Sequence, residues 1–191
     1  MQVTEKNGVR YYTENGVVQS VYPAETHFGF SYWSYLIPPF KPANVLILGY
    51  GIGTAGELIR KIYGDTVLIT GVDKHVEARQ LPFAHKNVTV VERDVLSYLS
   101  DTTEQFDYVI VDLFNGSEVD ESVFNPKVPK LLARIVKKML AINTYGPDER
   151  YKTYAAQFDF LVSKHAGSAN DIIYFVPHGG ETEFSERSWN V

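Results

Sequence analysis

From Pro42 onward the chain alternates short apolar runs with helix-forming stretches, and that alternation limits the fold more than any other feature. VLIL (45–48), TVLITGV (66–72), VTVVE (88–92), YVIVDLF (108–114), KMLAINTY (138–145) and DIIYFV (171–176) read as strands. Helical pieces lie between them at 54–63, about 75–82, about 95–100, 126–137 and 149–165. Strands apolar on both faces and separated by helices belong to a parallel sheet covered on both sides. The expected fold is α/β: a Rossmann-like, doubly wound and mostly parallel sheet with an antiparallel C-terminal strand. The turn chemistry of Pro177-His178-Gly179-Gly180, followed by weak alternation over 182–187, predicts a final hairpin.

Before Pro42 the pattern is different. Val9–Thr13 and Val17–Val21 alternate on either side of Glu14-Asn15-Gly16, and Asn-Gly tolerates the positive φ of a tight hairpin turn. A hairpin over 8–22 follows, which must pack on something because a lone hairpin is marginal in water. THFGFSYWSYLIPPF (26–40) reads as a short helix stopped by Pro38 and Pro39. Its aromatic set, Phe28, Phe30, Tyr32, Trp33 and Tyr35, either plugs the hairpin onto the main domain or forms a lid over a ligand. Two units are expected: an N-terminal hairpin with its aromatic segment (1–40) and a cofactor-binding domain (41–191).

The turn after the first sheet strand, VLILGYGIGTAGELIRK, places glycine at every second position and then opens a helix. Such a turn lets the backbone approach a ligand closely. Gly51-Ile52-Gly53-Thr54-Ala55-Gly56 fits the GxGxxG spacing of dinucleotide sites, while Gly49-Tyr50-Gly51-Ile52-Gly53 fits the GxGxG spacing of S-adenosylmethionine sites. Register separates them. Counted from the strand end at Leu48, a dinucleotide fingerprint wants glycine where Thr54 stands. Three carboxylates then close successive strands, where ligands bind in an open α/β sheet. Asp73 is placed to accept ribose hydroxyls and Asp94 to take a hydrogen bond from an exocyclic amine. Asp112 falls beside the reacting group. Each could instead cap a helix.

Composition trims the alternatives. The formal charge is 18 minus 23, or −5, without a basic stripe, and this reading sets nucleic acid and membrane surfaces aside as partners. With no cysteine, thiolate chemistry is excluded. The five histidines are scattered, so no metal site is expected. No run approaches the ~20 apolar residues of a membrane span, and a soluble, cytoplasmic protein is expected. Thirteen tyrosines and eleven phenylalanines beside an exposed hairpin hint at a homodimer.

On NGVVQS (15–20), VLILGYGIG (45–53), ITGVDKHVE (69–77), VVERDVLSYL (90–99) and FDYVIVDLF (106–114), the sequence resembles the spermidine synthase-like branch of the class I S-adenosylmethionine-dependent methyltransferases. The resemblance implies donor contacts from Gly49, Tyr50, Gly51, Gly53, Asp73, Lys74, Asp94 and Val95. It places Gln19 and Asn115 on the substrate side and gives Asp112 the catalytic role. Polyamine synthases carry an aspartate where Ile52 stands and a second acid where Asn115 stands, and HFGFSYWSY lacks their Tyr-Gln-Glu segment. Missing acids weaken a polycation site. The implied reaction is methyl transfer from S-adenosylmethionine to a small-molecule acceptor. An aminopropyltransferase with a divergent amine site, a non-catalytic adenosine-ligand scaffold and an NAD-binding protein stay open as alternatives.

Overall fold

The computed structural model describes residues 2–24, 31–74, 87–146, 148–166 and 169–180. Its N-terminal part is a three-stranded antiparallel sheet of β1 (Gln2–Lys6), β2 (Val9–Glu14) and β3 (Val17–Tyr22), in that order. The expected hairpin is thus β2–β3, and β1 is an addition. Two Asn-Gly turns make the meander: Asn7 and Gly8 at φ 54° and 75°, Asn15 and Gly16 at φ 51° and 79°. The first turn repeats the signal of the second. β1 itself carries no burial pattern, since all five of its residues are exposed.

Seven strands build the main sheet: β4 (Asn44–Leu48), β5 (Leu68–Asp73), β6 (Val88–Glu92), β7 (Phe106–Val111), then, after the two-residue β8 (Phe114–Asn115) and β9 (Glu118–Val119), β10 (Val136–Tyr145), β11 (Phe158–His165) and β12 (Asn170–Pro177). Their order is β11-β12-β10-β7-β4-β5-β6. The neighbours from β6 to β10 pair in parallel, whereas β12 runs antiparallel between β10 and β11. After β4 the chain winds outward through β5 and β6, then returns to the other side of β4 as β7. That reversal opens a crevice at the carboxyl ends of β4 and β7.

Helices α1 (Thr54–Tyr63), α2 (Val95–Asp101) and α3 (Lys127–Ile135) cover the faces. All six residues of β7 are buried, as a strand covered on both faces requires. Val109 and Val111 join Leu46, Leu99 and Leu132 in one core layer; Tyr108 and Ile110 join Ile47, Ile59 and Trp33 in the other.

Some expectations are corrected. The helix expected over 149–165 is a 3-10 turn at Glu149–Ala156 followed by edge strand β11. Tyr151, Tyr154 and Phe158 bury one side at helical spacing, while the strand beyond shows little alternation because an edge strand is half wet. The aromatic segment forms a 3-10 turn at Tyr32–Leu36 that buries Trp33 and Leu36, and its residues 25–30 lie outside the described residues. The helix expected near 75–82 and the hairpin over 182–187 also lie outside the described residues. The antiparallel C-terminal strand is β12, inserted inside the sheet rather than at its edge.

At the opposite end of the sheet, the nearly buried Asp107 accepts from the Ala43 N–H at 2.9 Å and pairs with Lys137 at 3.0 Å and Lys138 at 3.6 Å. Burial alone would raise its carboxyl, but the N–H and both lysines outweigh it and hold it below the usual value. A depressed folded pKa adds stability above the unfolded pKa and loses it as pH falls through the folded one. Asp107→Asn should therefore cost about 1–3 kcal/mol at neutral pH and little in strong acid. Urea melts across that range check the sign.

Candidate functional site

The glycine turn is held from below and from the side. Gly49 and Tyr50 both donate backbone N–H bonds to Val72 O, at 2.9 and 3.2 Å, and the Gly51 N–H donates to Asp73 Oδ2 at 2.8 Å. Gly49, Gly51 and Gly53 all have positive φ: 84°, 54° and 90°. The Tyr50 ring turns away from the opening and lies across Gly71, where a Cβ would stand 2.2 Å from the ring. Burial pushes the Tyr50 hydroxyl up to about 12.

Thr54, which breaks the dinucleotide fingerprint, has a structural task. Its hydroxyl accepts from Val21 N–H and donates to Val21 O, both at 2.9 Å. Nearby, Glu57 accepts from Ala24 N–H at 2.8 Å and Ser20 Oγ accepts from Ile52 N–H at 3.4 Å. These bonds seat β3 on the glycine turn and the start of α1. On the far side Gln19 donates to Gly116 O at 2.8 Å, and the Gly116 N–H donates to Glu14 at 3.3 Å. The N-terminal sheet therefore roofs the crevice.

Under that roof lies a cleft. Of the residues expected from sequence, Gln19, Gly49, Gly51 and Asp73 line it, as do Lys74, Asp94, Val95 and Asp112. Tyr50 and Gly53 lie beneath the turn rather than on the cleft wall, and Asn115 is exposed on β8 away from it. Asp94 caps α2, accepting from Ser97 N–H at 2.9 Å, and still borders the cleft. Lys74 pairs with Asp120 at 3.6 Å across the rim.

Among the described residues Asp112 is a strongly perturbed acid. Asn143 Nδ2 donates to its Oδ1 at 2.7 Å, and the Tyr32 hydroxyl donates to its Oδ2 at 3.3 Å. Asn143 is fixed in turn by Asn170, which donates to Asn143 Oδ1 at 2.9 Å. Burial, with the Asp73 charge adding to it, pushes the Asp112 carboxyl up to about 6 against the pull of its two donors. The Tyr32 hydroxyl is raised by burial and then by Asp112. Sequence reasoning named Tyr32 only as a possible lid residue and not as a partner of Asp112, and it missed Asn143 altogether. The available signal for Asn143 was a lone amide among the apolar residues of LAI before it.

A second cavity adjoins the cleft and shares Gln19, Tyr32 and Phe114 with it. Among the described residues no group of three His, Asp or Glu could hold a metal, and no helix is long and apolar enough to cross a membrane.

No protein-family model matches the sequence, and no curated protein matches it. Solved structures do match. Human methyltransferase-like protein 13 in complex with SAH aligns with a TM-score of 0.64 at 16% identity, over 77% of this chain and 77% of that one. A SAM-dependent methyltransferase from Aquifex aeolicus gives 0.53 at 18%, over 74% and 84%. The 16S rRNA methylase RmtB gives 0.55 at 18%, over 76% and 60%. The chain has the Rossmann-like fold of S-adenosylmethionine-dependent methyltransferases. These likenesses reach the fold and not the branch, so the spermidine synthase-like reading rests on sequence motifs alone. The expectation that nucleic acid is excluded is overturned, because RmtB, an rRNA methylase, shares this fold. Net charge describes the whole chain, whereas an acceptor meets one edge of the sheet.

Proposed function

We propose that the protein is a methyltransferase of spermidine synthase-like type that uses S-adenosylmethionine and acts on a small-molecule acceptor. One observation carries this reading: Gly49, Asp73, Asp94 and Asp112, from the ends of four successive strands, border one cleft at the sheet's reversal point. The donor set suits an adenosyl ligand. Asp73 is suited to the ribose hydroxyls, Asp94 and buried Val95 to the adenine, and the Gly49 and Gly51 backbone to the polar tail. Bound there, S-adenosylmethionine supplies a methyl group already activated on a sulfonium, so positioning supplies most of the acceleration. Asp112 orients the acceptor and takes its proton.

Calorimetric titration with S-adenosylmethionine, its decarboxylated form, methylthioadenosine and NAD tests the donor assignment. S-adenosylmethionine is expected to bind best, and Asp73→Asn to weaken it at least ~10-fold through lost charge-assisted hydrogen bonds. Preference for the decarboxylated donor would return the chain to polyamine chemistry. Preference for NAD would overturn the register argument at Gly49.

A further inference from the structure

The second cavity adjoins the donor cleft, sharing Gln19, Tyr32 and Phe114 with it, but differs from it in character. Val17 and Val18 of β3, Trp33 of the 3-10 turn and Tyr145 at the end of β10 belong to it alone, together with Asn143 and Asn170. Four aromatic rings from three elements line it, in two contacting pairs: Tyr32–Trp33 of the 3-10 turn with centroids 4.7 Å apart and Phe114–Tyr145, from β8 and β10, at 5.1 Å. Its polar groups are the neutral side chains of Gln19, Ser31, Asn143 and Asn170 and the Tyr32 and Tyr145 hydroxyls. Among the described residues no Lys, Arg, His, Asp or Glu lines it. Asp112 lies at its boundary: its two oxygens are held by Asn143 and Tyr32, both walls of this cavity, while Asp112 itself lines the donor cleft. Its volume is about 300 Å³, roughly twice the ~150 Å³ apolar cavity that holds benzene.

We propose that this cavity is the acceptor site and that it takes an uncharged, planar, two-ring-sized aromatic alcohol or amine, whose O–H or N–H meets Asp112 where the two spaces join. The inference rests on the methyltransferase reading and names its substrate class. Aromatic walls favour a flat ring by offset stacking and edge contacts. A carboxylate or phosphate placed inside would meet no cation and would face Asp112, so its burial is unfavourable. An ammonium would gain from the rings and Asp112, but it presents no lone pair to a methyl donor until it loses its proton. For an alcohol the balance is direct. The acceptor's oxygen–methyl bond forms as the sulfonium–methyl bond breaks, the sulfonium electron pair stays on sulfur as a neutral thioether, and the hydroxyl proton passes to Asp112.

Three probes with one ring skeleton and different heads test this: naphthol, naphthoate and naphthylmethylamine. Binding is followed by fluorescence and calorimetry, with and without S-adenosylhomocysteine, and methyl transfer by mass spectrometry. Naphthol should bind at least tenfold more tightly than naphthoate even without the adenosyl ligand, and when S-adenosylmethionine is added naphthol, not the protonated naphthylmethylamine, should be methylated. Val18→Trp, at a 41% exposed position on the cavity rim, should weaken naphthol at least tenfold and leave S-adenosylmethionine affinity within twofold. Tighter binding of naphthoate, methylation of naphthylmethylamine in place of naphthol, no response to Val18→Trp, or methylation of RNA in place of naphthol would overturn the acceptor assignment while the donor titration still stands. Naphthol binding without any adenosyl-ligand binding would support the cavity and sink the methyltransferase reading instead.

Discussion

Asp112→Asn is expected to slow methyl transfer by orders of magnitude and to make the protein more stable. Burial raises the Asp112 carboxyl from 3.8 to about 6, with the Asp73 charge assisting. A carboxyl whose folded pKa lies above its unfolded value binds its proton more tightly in the folded state. Its stabilising contribution is complete below about 3.8 and is lost as pH rises through about 6. Above that range the buried charge costs about 1–3 kcal/mol. Asparagine removes the charge and keeps both bonds: its oxygen accepts from Asn143, and its NH2 group can donate to Tyr32. A rise in Tm of several degrees at pH 8 should follow, with little change at pH 3. The lost base should slow transfer by ~10²–10⁴. For the unaltered protein, activity should fall as pH drops below about 6, because the base is then protonated. Thermal melts and transfer rates at several pH values check both halves. Full activity in the variant would remove Asp112 from the chemistry.

Gly49→Ala should be the most damaging single methyl in the molecule. A Cβ at Gly49 would lie 2.1 Å from Asp112 O and 2.8 Å from its carbonyl carbon, and φ there is +84°. Neither backbone can retreat, since Gly49 N–H is tied to Val72 O at 2.9 Å and Asp112 N–H to Leu48 O at 2.8 Å. Overpacking and left-handed strain together cost about 2–5 kcal/mol. The adenosyl-ligand affinity should fall more than ~100-fold, because a displacement of the turn moves several backbone contacts at once. Gly64→Ala is the control: φ is +86° but nothing lies within 4 Å. Only backbone strain remains, about 1–3 kcal/mol, and ligand affinity should hold. Urea melts and titrations of the two variants separate steric from conformational cost.

The sheet was legible because burial on both faces leaves runs of apolar residues that polar interruption would betray. Strand ends fell within three residues of their observed places, from an exact match at 88–92 to 108–114 read against Phe106–Val111. Exposure hid the exceptions. β1 is wet throughout, and β11 alternates too weakly to displace the helical spacing of Tyr151 and Tyr154. The three acids of the site were legible because a doubly wound sheet puts successive strand ends on one edge. Tyr32 and Asn143 were not, since their meeting with Asp112 depends on how the 3-10 turn and β10 come together across the sheet. Tyr50 illustrates the converse. Its ring fills a space in the core beside Gly71 that no local pattern announces, while its backbone stays in the glycine turn.

The amide chain from Asn170 through Asn143 to Asp112 also bears on how the molecule reaches its working form. Asp112 and its direct donors are 31 and 80 residues apart along the chain, and Asn170 is 27 beyond Asn143. Contacts of such sequence separation form late, because the loop entropy must be spent before they return anything. β12 must also slip between β10 and β11. During synthesis from the N-terminus the glycine turn and all three acids emerge well before the strand that completes the surroundings of Asp112. An adenosyl ligand would meet its strand-end contacts while the Asp112 carboxyl still lacked its final setting, so on the proposed function competence to bind would precede competence to react.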